Sequence, residues 1–305
     1  MKKKIVFIVG PTGIGKTETA VLLAKKIKAE IVSCDSMQVY KHMDILTSKP
    51  GLKLRKLIPH HLVDIVPPAK EYNVSVYRKA AVKKIKDILK RGKVPLLAGG
   101  TGHYMSVLID GIFKAVVADQ NIRGRLYKEA ARKGSGYLYE SLQKIDPQAA
   151  SKIHPNDVKR IVRALEVFKA TGKPISELQK DRKGLSEDYD IRIFCLDTQR
   201  PRLYRRIEKR VDEMFKQGLV GEVKKLLKLK LSRTASYAIG IREIKGYLEG
   251  WYDLEEAKRL IKRNTRLYAK RQLTWFRKDK RIQWIKVGVK EKPKAIADKI
   301  FKLLR

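Results

Sequence analysis

Two stretches carry residues whose types and spacing could do chemistry. The first is Gly10-Pro11-Thr12-Gly13-Ile14-Gly15-Lys16-Thr17, of the form GxxxxGK[ST], set between the apolar run Lys4–Val9 and an amphipathic pattern from Glu18 to Ile27. Strand, glycine loop and helix in that order make a phosphate-binding loop, in which consecutive backbone N–H groups converge on an anion. Lys16 adds a point charge, and the hydroxyl of Thr17 can ligate a magnesium ion held by phosphates. Taken alone the loop suits a nucleotide such as ATP or GTP. The second is Asp35, at the end of the apolar run Glu30–Cys34 and followed by Ser36-Met37-Gln38-Val39-Tyr40. An aspartate at the carboxyl end of a parallel strand faces the ligand crevice and suits a general base; otherwise it caps whatever follows.

Three further features bear on the same chemistry. Val94–Ala98 is a strand pattern ending in Gly99-Gly100-Thr101-Gly102-His103-Tyr104. A hydrolytic P-loop ATPase usually carries an acidic magnesium ligand at the end of such a strand, and this one ends in Ala98-Gly99-Gly100. In Arg200–Phe215, Leu203, Ile207, Val211 and Met214 form an apolar helical stripe, with Arg206 and Arg210 one turn apart. Such arginines either pair with acids along the helix or clamp a phosphate. His60-His61 has no further His or Cys cluster nearby, so the pair reads as loop packing rather than a metal site.

The elements that position these residues read as an α/β fold: a P-loop NTPase-like core with a parallel sheet flanked by helices, plus a helical insertion. The stretch Lys41–Lys70, with Pro50, Gly51, Pro59, Pro67 and Pro68, reads as loop. Val76–Lys90 reads as a helix with Val76, Ala80, Val82, Ile85 and Leu89 on its buried face. From 118 to 189 strand patterns vanish and helices are expected over Asn121–Lys133, Tyr137–Ile145 and Asn156–Thr171. The core is therefore expected over 1–117 and 190–305, with the insertion over 118–189. Ile191–Leu196 returns to the sheet, Glu255–Arg277 is a basic helix burying Leu260, Ile261, Leu267 and Leu273, and Gln283–Arg305 supplies a strand and a short helix.

Composition narrows the partners. The 305 residues include 70 Lys+Arg against 32 Asp+Glu, a net charge of +38, while the apolar fraction of 43% is ordinary. So basic a surface favours a polyanion, nucleic acid first; a lysine-rich genome or a thermophilic habit is the other source of such charge. Arginine and lysine interleaved with Tyr268, Trp275 and Phe276 in the last long helix suit phosphates and stacked bases. The basic face around Lys159, Arg160 and Arg163 is either a solvated surface or an RNA contact. Cys34 and Cys195 sit in apolar strands, as reduced thiols do in a cytoplasm. No run approaches the ~20 apolar residues that span a bilayer, and Ile5–Val9 is too short for a signal-peptide core. A cytoplasmic protein without a membrane segment is expected.

In order along nearly the whole chain come Gly10-Pro11-Thr12-x-x-Gly15-Lys16-Thr17, Asp35-Ser36-Met37-Gln38-Val39-Tyr40, Gly99-Gly100-Thr101-Gly102 and Asn156-Asp157-x-x-Arg160-x-x-Arg163-Ala164-Leu165-Glu166. Ala238-Ile239-Gly240, Thr265-Arg266-x-Tyr268-Ala269-Lys270-Arg271-Gln272 and Thr274-Trp275-Phe276 follow. This series resembles the bacterial tRNA dimethylallyltransferases, also called tRNA isopentenyltransferases. The resemblance implies transfer of a dimethylallyl group from dimethylallyl diphosphate to N6 of adenosine 37, beside the anticodon of tRNA, by a monomer using Mg²⁺. It implies diphosphate binding by Gly10, Pro11, Thr12, Gly13, Ile14, Gly15, Lys16, Thr17 and Arg210, with the metal on Thr17. Asp35, Lys16, Thr17, Thr101 and Arg210 would be catalytic, Asp35 taking the N6 proton. The anticodon stem-loop would meet Asp35, Ser36, Met37, Gln38, Thr101, Arg123, Lys159, Arg160, Ile161, Val162 and Arg163. It would also meet Tyr237, Arg242, Lys270, Arg271, Gln272, Trp275 and Arg277.

The chain departs from the family pattern at Gly13-Ile14, commonly Ala-Ser, at His103, commonly Leu, and at Ile241, commonly Tyr, where an RNA contact is put in doubt. Three other readings stand beside this one: a P-loop kinase of a small acceptor, a prenyltransferase of free adenine nucleotides, and a non-catalytic RNA-binding module. The basic C-terminal helix and the helical insertion weigh against the first two, because a small acceptor needs neither, and the third leaves the phosphate loop and Asp35 unexplained.

Overall fold

Ile5 to Val9 are all buried, and a strand apolar on both faces is stable only in a sheet covered by helices on both sides. The computed structural model, which describes residues 2–113 and 119–305, builds that sheet from six parallel strands. They are β1 (Lys4–Val9), β2 (Ala29–Ser33), β3 (His60–His61), β4 (Val94–Gly99), β5 (Asp190–Asp197) and β6 (Gln283–Lys286), in the order β3-β2-β4-β1-β5-β6. The helices of the first half are α1 (Lys16–Lys26), α2 (Leu52–Leu57), α3 (Val74–Lys90) and α4 (Gly102–Asp110). Then come α5 (Gln120–Lys133), α6 (Ser135–Ile145), α7 (Pro147–Ala150), α8 (Val158–Thr171) and α9 (Ile175–Leu178). The last group is α10 (Arg200–Lys216), α11 (Leu219–Leu227), α12 (Arg233–Ser236), α13 (Ile241–Leu248), α14 (Leu254–Phe276) and α15 (Pro293–Leu304).

Strand order decides where a ligand can sit. β1 pairs with β4 on one side and β5 on the other, so the chain leaves β1 towards β2 and leaves β4 towards β5. The connections diverge at β1 and β4, which opens a crevice beyond their carboxyl ends. The loop after β1 is Gly10–Gly15, and the loop after β4 runs through Gly100 and Thr101. Asp35 lies just past β2, the other neighbour of β4.

The chain divides into two compact units, Met1–Ile109 with Asp188–Arg305, and Asp110–Glu187. The expected boundaries at 118 and 189 are thus displaced to 110 and 187. At the first, Phe113 packs on the apolar cluster of the helical unit, which is built on Leu126, Leu138, Leu142, Ile161 and Leu165. Residue 118 itself lies outside the described residues.

Other expectations change for identifiable reasons. α1 starts at Lys16, two residues before the periodicity suggests, because Gly15 takes the left-handed φ of 98° that turns the loop into the helix. α3 starts at Val74, where the Asn73 side chain accepts from the amides of Ser75 and Val76. Its buried face is Tyr77, Ala81, Ile85 and Ile88, and Val76 is 46% exposed. Tyr77 decides that rotation by stacking on Tyr104 at 3.8 Å and donating to the Ser33 carbonyl at 3.1 Å. The expected loop 41–70 contains α2, bracketed by Pro50 and Pro59, and β3, in which the two histidines pair with Ile31 and Val32. His61 Nε2 meets Glu30 at 2.7 Å, together with Arg91 and Lys93. Burial alone would push the Glu30 carboxyl up, but hydrogen bonds from Lys93, His61 and Arg91 outweigh it and hold the pKa at about 2. In α14 the buried positions are Ala257, Ile261, Ala269, Gln272 and Phe276, while the expected Leu267 is 43% exposed. The predicted stripe of α10, Leu203, Ile207, Val211 and Met214, is the buried one.

Candidate active site

The loop after β1 presents unspent donors. The amides of Gly13 to Thr17 make no hydrogen bond to other described residues, so they converge on the crevice as an anion nest at the head of α1. Lys16 Nζ donates to the Pro11 carbonyl at 2.9 Å, which folds the side chain back over the loop. Burial lowers its pKa to about 8, with the nearby Asp35 pulling upward and Arg210 downward. Ile14 is wholly buried in the core, so it serves the site through its backbone alone.

α10 lies alongside this loop and turns its two arginines towards it. Arg206 Nε donates to the Gly13 carbonyl at 2.8 Å. Arg210 Nη1 donates to Thr12 Oγ1 at 2.6 Å and its Nε to Ser48 Oγ at 2.9 Å. Neither forms an ion pair with an acid of α10; both hydrogen-bond to neutral groups of the phosphate loop and its surroundings. Burial pushes both guanidinium groups below their ordinary pKa, and only the charge of Asp35 offsets this for Arg210.

Asp35 both caps the following turn and borders the crevice. Oδ1 accepts from the amides of Met37 (2.9 Å) and Gln38 (3.3 Å), capping the turn after β2. Oδ2 accepts no hydrogen bond from the described residues, and the side chain borders the crevice. Thr101 stands behind it, accepting from the Ser36 amide at 3.1 Å while its own amide donates to the Cys34 carbonyl at 3.1 Å. Gly99 is obligatory there, since any Cβ would enter the Cys34 backbone.

The crevice consists of two cavities that meet. One, about 440 Å³, holds Lys16, Thr17 and Arg206 beside the phosphate loop. The other, about 310 Å³, is walled by Leu46, Ile207, Val211, Met214 and Ile261 and has Tyr237 and Arg271 at its rim. Thr12, Asp35, Thr47, Arg210 and Tyr268 border both. The Tyr268 hydroxyl is held protonated, its pKa raised by burial and by the charge of Asp35. For a magnesium ion the protein offers the Thr17 hydroxyl, with Asp35 in the same cavity. Among the described residues no group of three His, Cys, Asp or Glu is placed to hold a metal. That donor set fits a cation carried in by phosphates rather than one caged by protein.

The residues expected to meet RNA fall into two groups. Tyr237 (62% exposed), Arg242, Lys270, Arg271, Trp275 and Arg277 are all exposed on the core, as are Lys159 and Arg160 on the helical unit. Six others are engaged within the fold. Ile161 and Val162 are buried in the helical cluster. Gln38 Nε2 donates to the carbonyls of Thr47 and Ser48. Gln272, 5% exposed, accepts from the Thr12 amide at 2.9 Å and donates to the Gly100 carbonyl at 2.8 Å, bracing the two crevice loops. Arg123 and Arg163 both reach Glu166 Oε2, at 2.8 and 2.9 Å. Ile241 is buried, so its departure from an aromatic is a packing change, and His103 lies edge-on to Trp275 with ring centroids 5.9 Å apart. The site also contains residues outside the sets that the resemblance assigns: Tyr268, Arg206, Thr47 and Ser48. Arg206 has a signal in its spacing from Arg210; Ser48 has none.

Fold and site together define a P-loop-like α/β protein with a phosphate cradle that opens onto an apolar pocket. Residues 38–279 match the family model described as IPP transferase, and residues 3–55 match one described as isopentenyl transferase. The chain belongs to the IPP transferase family. A tRNA dimethylallyltransferase of Carboxydothermus hydrogenoformans is 49% identical over 302 residues, covering 98% of this chain and 97% of the relative. One of Thermotoga maritima is 47% identical over 283 residues, covering 92% of each. Among solved structures, the tRNA isopentenylpyrophosphate transferase of Bacillus halodurans superposes with a TM-score of 0.72 at 40% identity, covering 99% of this chain and 97% of that one. A eukaryotic dimethylallyltransferase acting on tRNA gives 0.78 at 31% identity, covering 93% and 74%.

Proposed function

We propose that the protein transfers a dimethylallyl group from dimethylallyl diphosphate to N6 of adenosine 37 in the tRNA anticodon loop, releasing diphosphate. The observation that carries this reading is the meeting of the two cavities at Asp35 and Arg210. A donor diphosphate on the loop amides of Gly13–Thr17 puts its allylic carbon towards that junction. An adenine base drawn out of its stack enters the second cavity past Tyr237 and Arg271.

The N6 lone pair forms the new bond to C1 of the allyl group as the C1–O bond breaks, its electrons leaving on the diphosphate. An amino group conjugated to a purine is a poor nucleophile, so Asp35 Oδ2 takes the N6 proton as the bond forms. Lys16, Arg210 and the loop amides stabilise the charge that develops on the leaving group. Thr17 would hold a magnesium ion carried in with the diphosphate, which would supply further positive charge to the leaving group. The apolar wall of the second cavity keeps water from the allylic carbon. The absence of a strand-end acid after β4 agrees with a loop that holds a leaving group and activates no water. No described helix is long and apolar enough to cross a membrane.

The test is purified protein with dimethylallyl diphosphate and Mg²⁺, one sample with unmodified tRNA and one with AMP. Diphosphate release with one prenylated adenosine in the tRNA sample alone is the expected result. Product with AMP alone, or phosphorylation of a small acceptor from ATP, overturns it. Asp35→Asn keeps the capping oxygen and is expected to hold tRNA affinity within a few-fold while turnover falls at least ~10²-fold.

A further inference from the structure

The segment between β2 and α2 contains no helix or strand, yet residues 46–48 form part of the walls of the two cavities. Leu46 lines the apolar one, Ser48 the phosphate side, and Thr47 both. Its backbone is not relaxed: His42 and Ser48 hold left-handed φ values of 63° and 46°. Something must pin it.

The pin comes from a residue distant in sequence. The carboxylate of Glu222, in the first turn of α11, accepts three consecutive amides: Asp44 at 3.0 Å, Ile45 at 2.9 Å and Leu46 at 2.8 Å. Three successive N–H groups turned to one point make an anion nest, here filled by the protein's own carboxylate. The strap so held delivers Ser48 Oγ to Arg210 Nε at 2.9 Å. With Nη1 on Thr12, this bond fixes the plane of the guanidinium, whose Nη2 has no partner among the described residues. A charged side chain on a flexible stem loses less on binding an anion when its fork is already oriented.

We propose that Glu222 is a positioning residue for donor binding, which acts through the strap 44–48 and Ser48 to aim Arg210 at the diphosphate. Glu222 itself borders neither cavity. The inference rests on the reading of Arg210 as the clamp on the donor.

Steady-state kinetics with both substrates test it, using Glu222→Ala, Glu222→Gln, Ser48→Ala, Arg210→Ala and the double variant Glu222→Ala/Ser48→Ala. Glu222→Ala is expected to raise KM for dimethylallyl diphosphate about tenfold and to leave KM for tRNA within about twofold. Glu222→Gln, which keeps one acceptor oxygen, falls between it and the parent. Because both residues act through one chain of contacts, the double variant is expected within about twofold of the worse single variant. Effects that multiply, or an equal rise in both KM values, overturn the proposal. So does an unchanged donor KM in Glu222→Ala while Arg210→Ala raises it. An unchanged donor KM in Arg210→Ala itself overturns the clamp reading, and this inference with it.

Discussion

Two pairs of arginines in this protein meet opposite fates. On α10, Arg206 and Arg210 hydrogen-bond to a carbonyl and two hydroxyls, and neither meets a carboxylate in an ion pair. In the helical unit, Arg123 of α5 and Arg163 of α8 share one oxygen of Glu166, which is 1% exposed. Neutral partners orient the first pair and leave its full charge for a ligand. An acid partner spends half the charge of the second pair on holding two helices together. Only the first pair has a signal in its spacing along one helix, the second being brought together from α5 and α8; the acid opposite decides whether an arginine builds a site or a fold.

The largest effect that could break this contrast is at Arg210. Arg210→Ala is expected to lower kcat/KM for dimethylallyl diphosphate by about 10²-fold or more, the scale of losing one donor to a developing anion, with tRNA affinity unchanged. A loss confined to tRNA affinity would place Arg210 with the RNA contacts instead. Glu166→Ala is the reciprocal experiment. Removing the shared acid leaves two cations facing each other, and urea unfolding is expected to show a loss of about 2–3 kcal/mol, discounted from a fully buried pair because both arginines keep solvent contact.

A smaller, pH-dependent effect sharpens the comparison from the side of Lys16. Its folded pKa of about 8 lies below the ordinary 10.5, so between those values the unfolded chain keeps a proton that the folded chain has released. Its contribution to stability therefore rises over that window, while its charge disappears. Donor affinity measured at pH 9 is expected to be about tenfold weaker than at pH 7, with stability at this group moving the opposite way. Smallest of all, Lys270→Ala is expected to reduce the slope of log tRNA affinity against log salt by about one phosphate contact, roughly equally for every tRNA bound.

What was legible in the chain follows from the range of each interaction. Residues Gly10–Thr17 announce themselves because loop, strand and helix are contiguous and their chemistry is local. Asp35 is legible for the same reason, and it can cap the turn while facing the crevice because a carboxylate has two oxygens. The stripe of α10 is right because Leu203, Ile207, Val211 and Met214 differ sharply in polarity from their neighbours. The face of α3 is misread because Val76 and Tyr77 are both apolar, and only stacking on Tyr104 tells which turns inward. Leu267 and Gln272 exchange their expected places in α14, since a buried glutamine is affordable only where a loop amide and a carbonyl wait for it.

By itself, then, the sequence determined the phosphate loop, the strand-end aspartate, the α/β plan and a basic surface suited to RNA, since these depend on residues that are neighbours in the chain. The tertiary structure alone decided which arginines remain free for an anion, that Ser48 and Tyr268 stand at the site, and that Glu222 holds the strap between the cavities. The reason is physical: a hydrogen bond between residues 178 positions apart leaves no periodicity in the chain, and exists only once the sheet has brought α11 against the loop after β2.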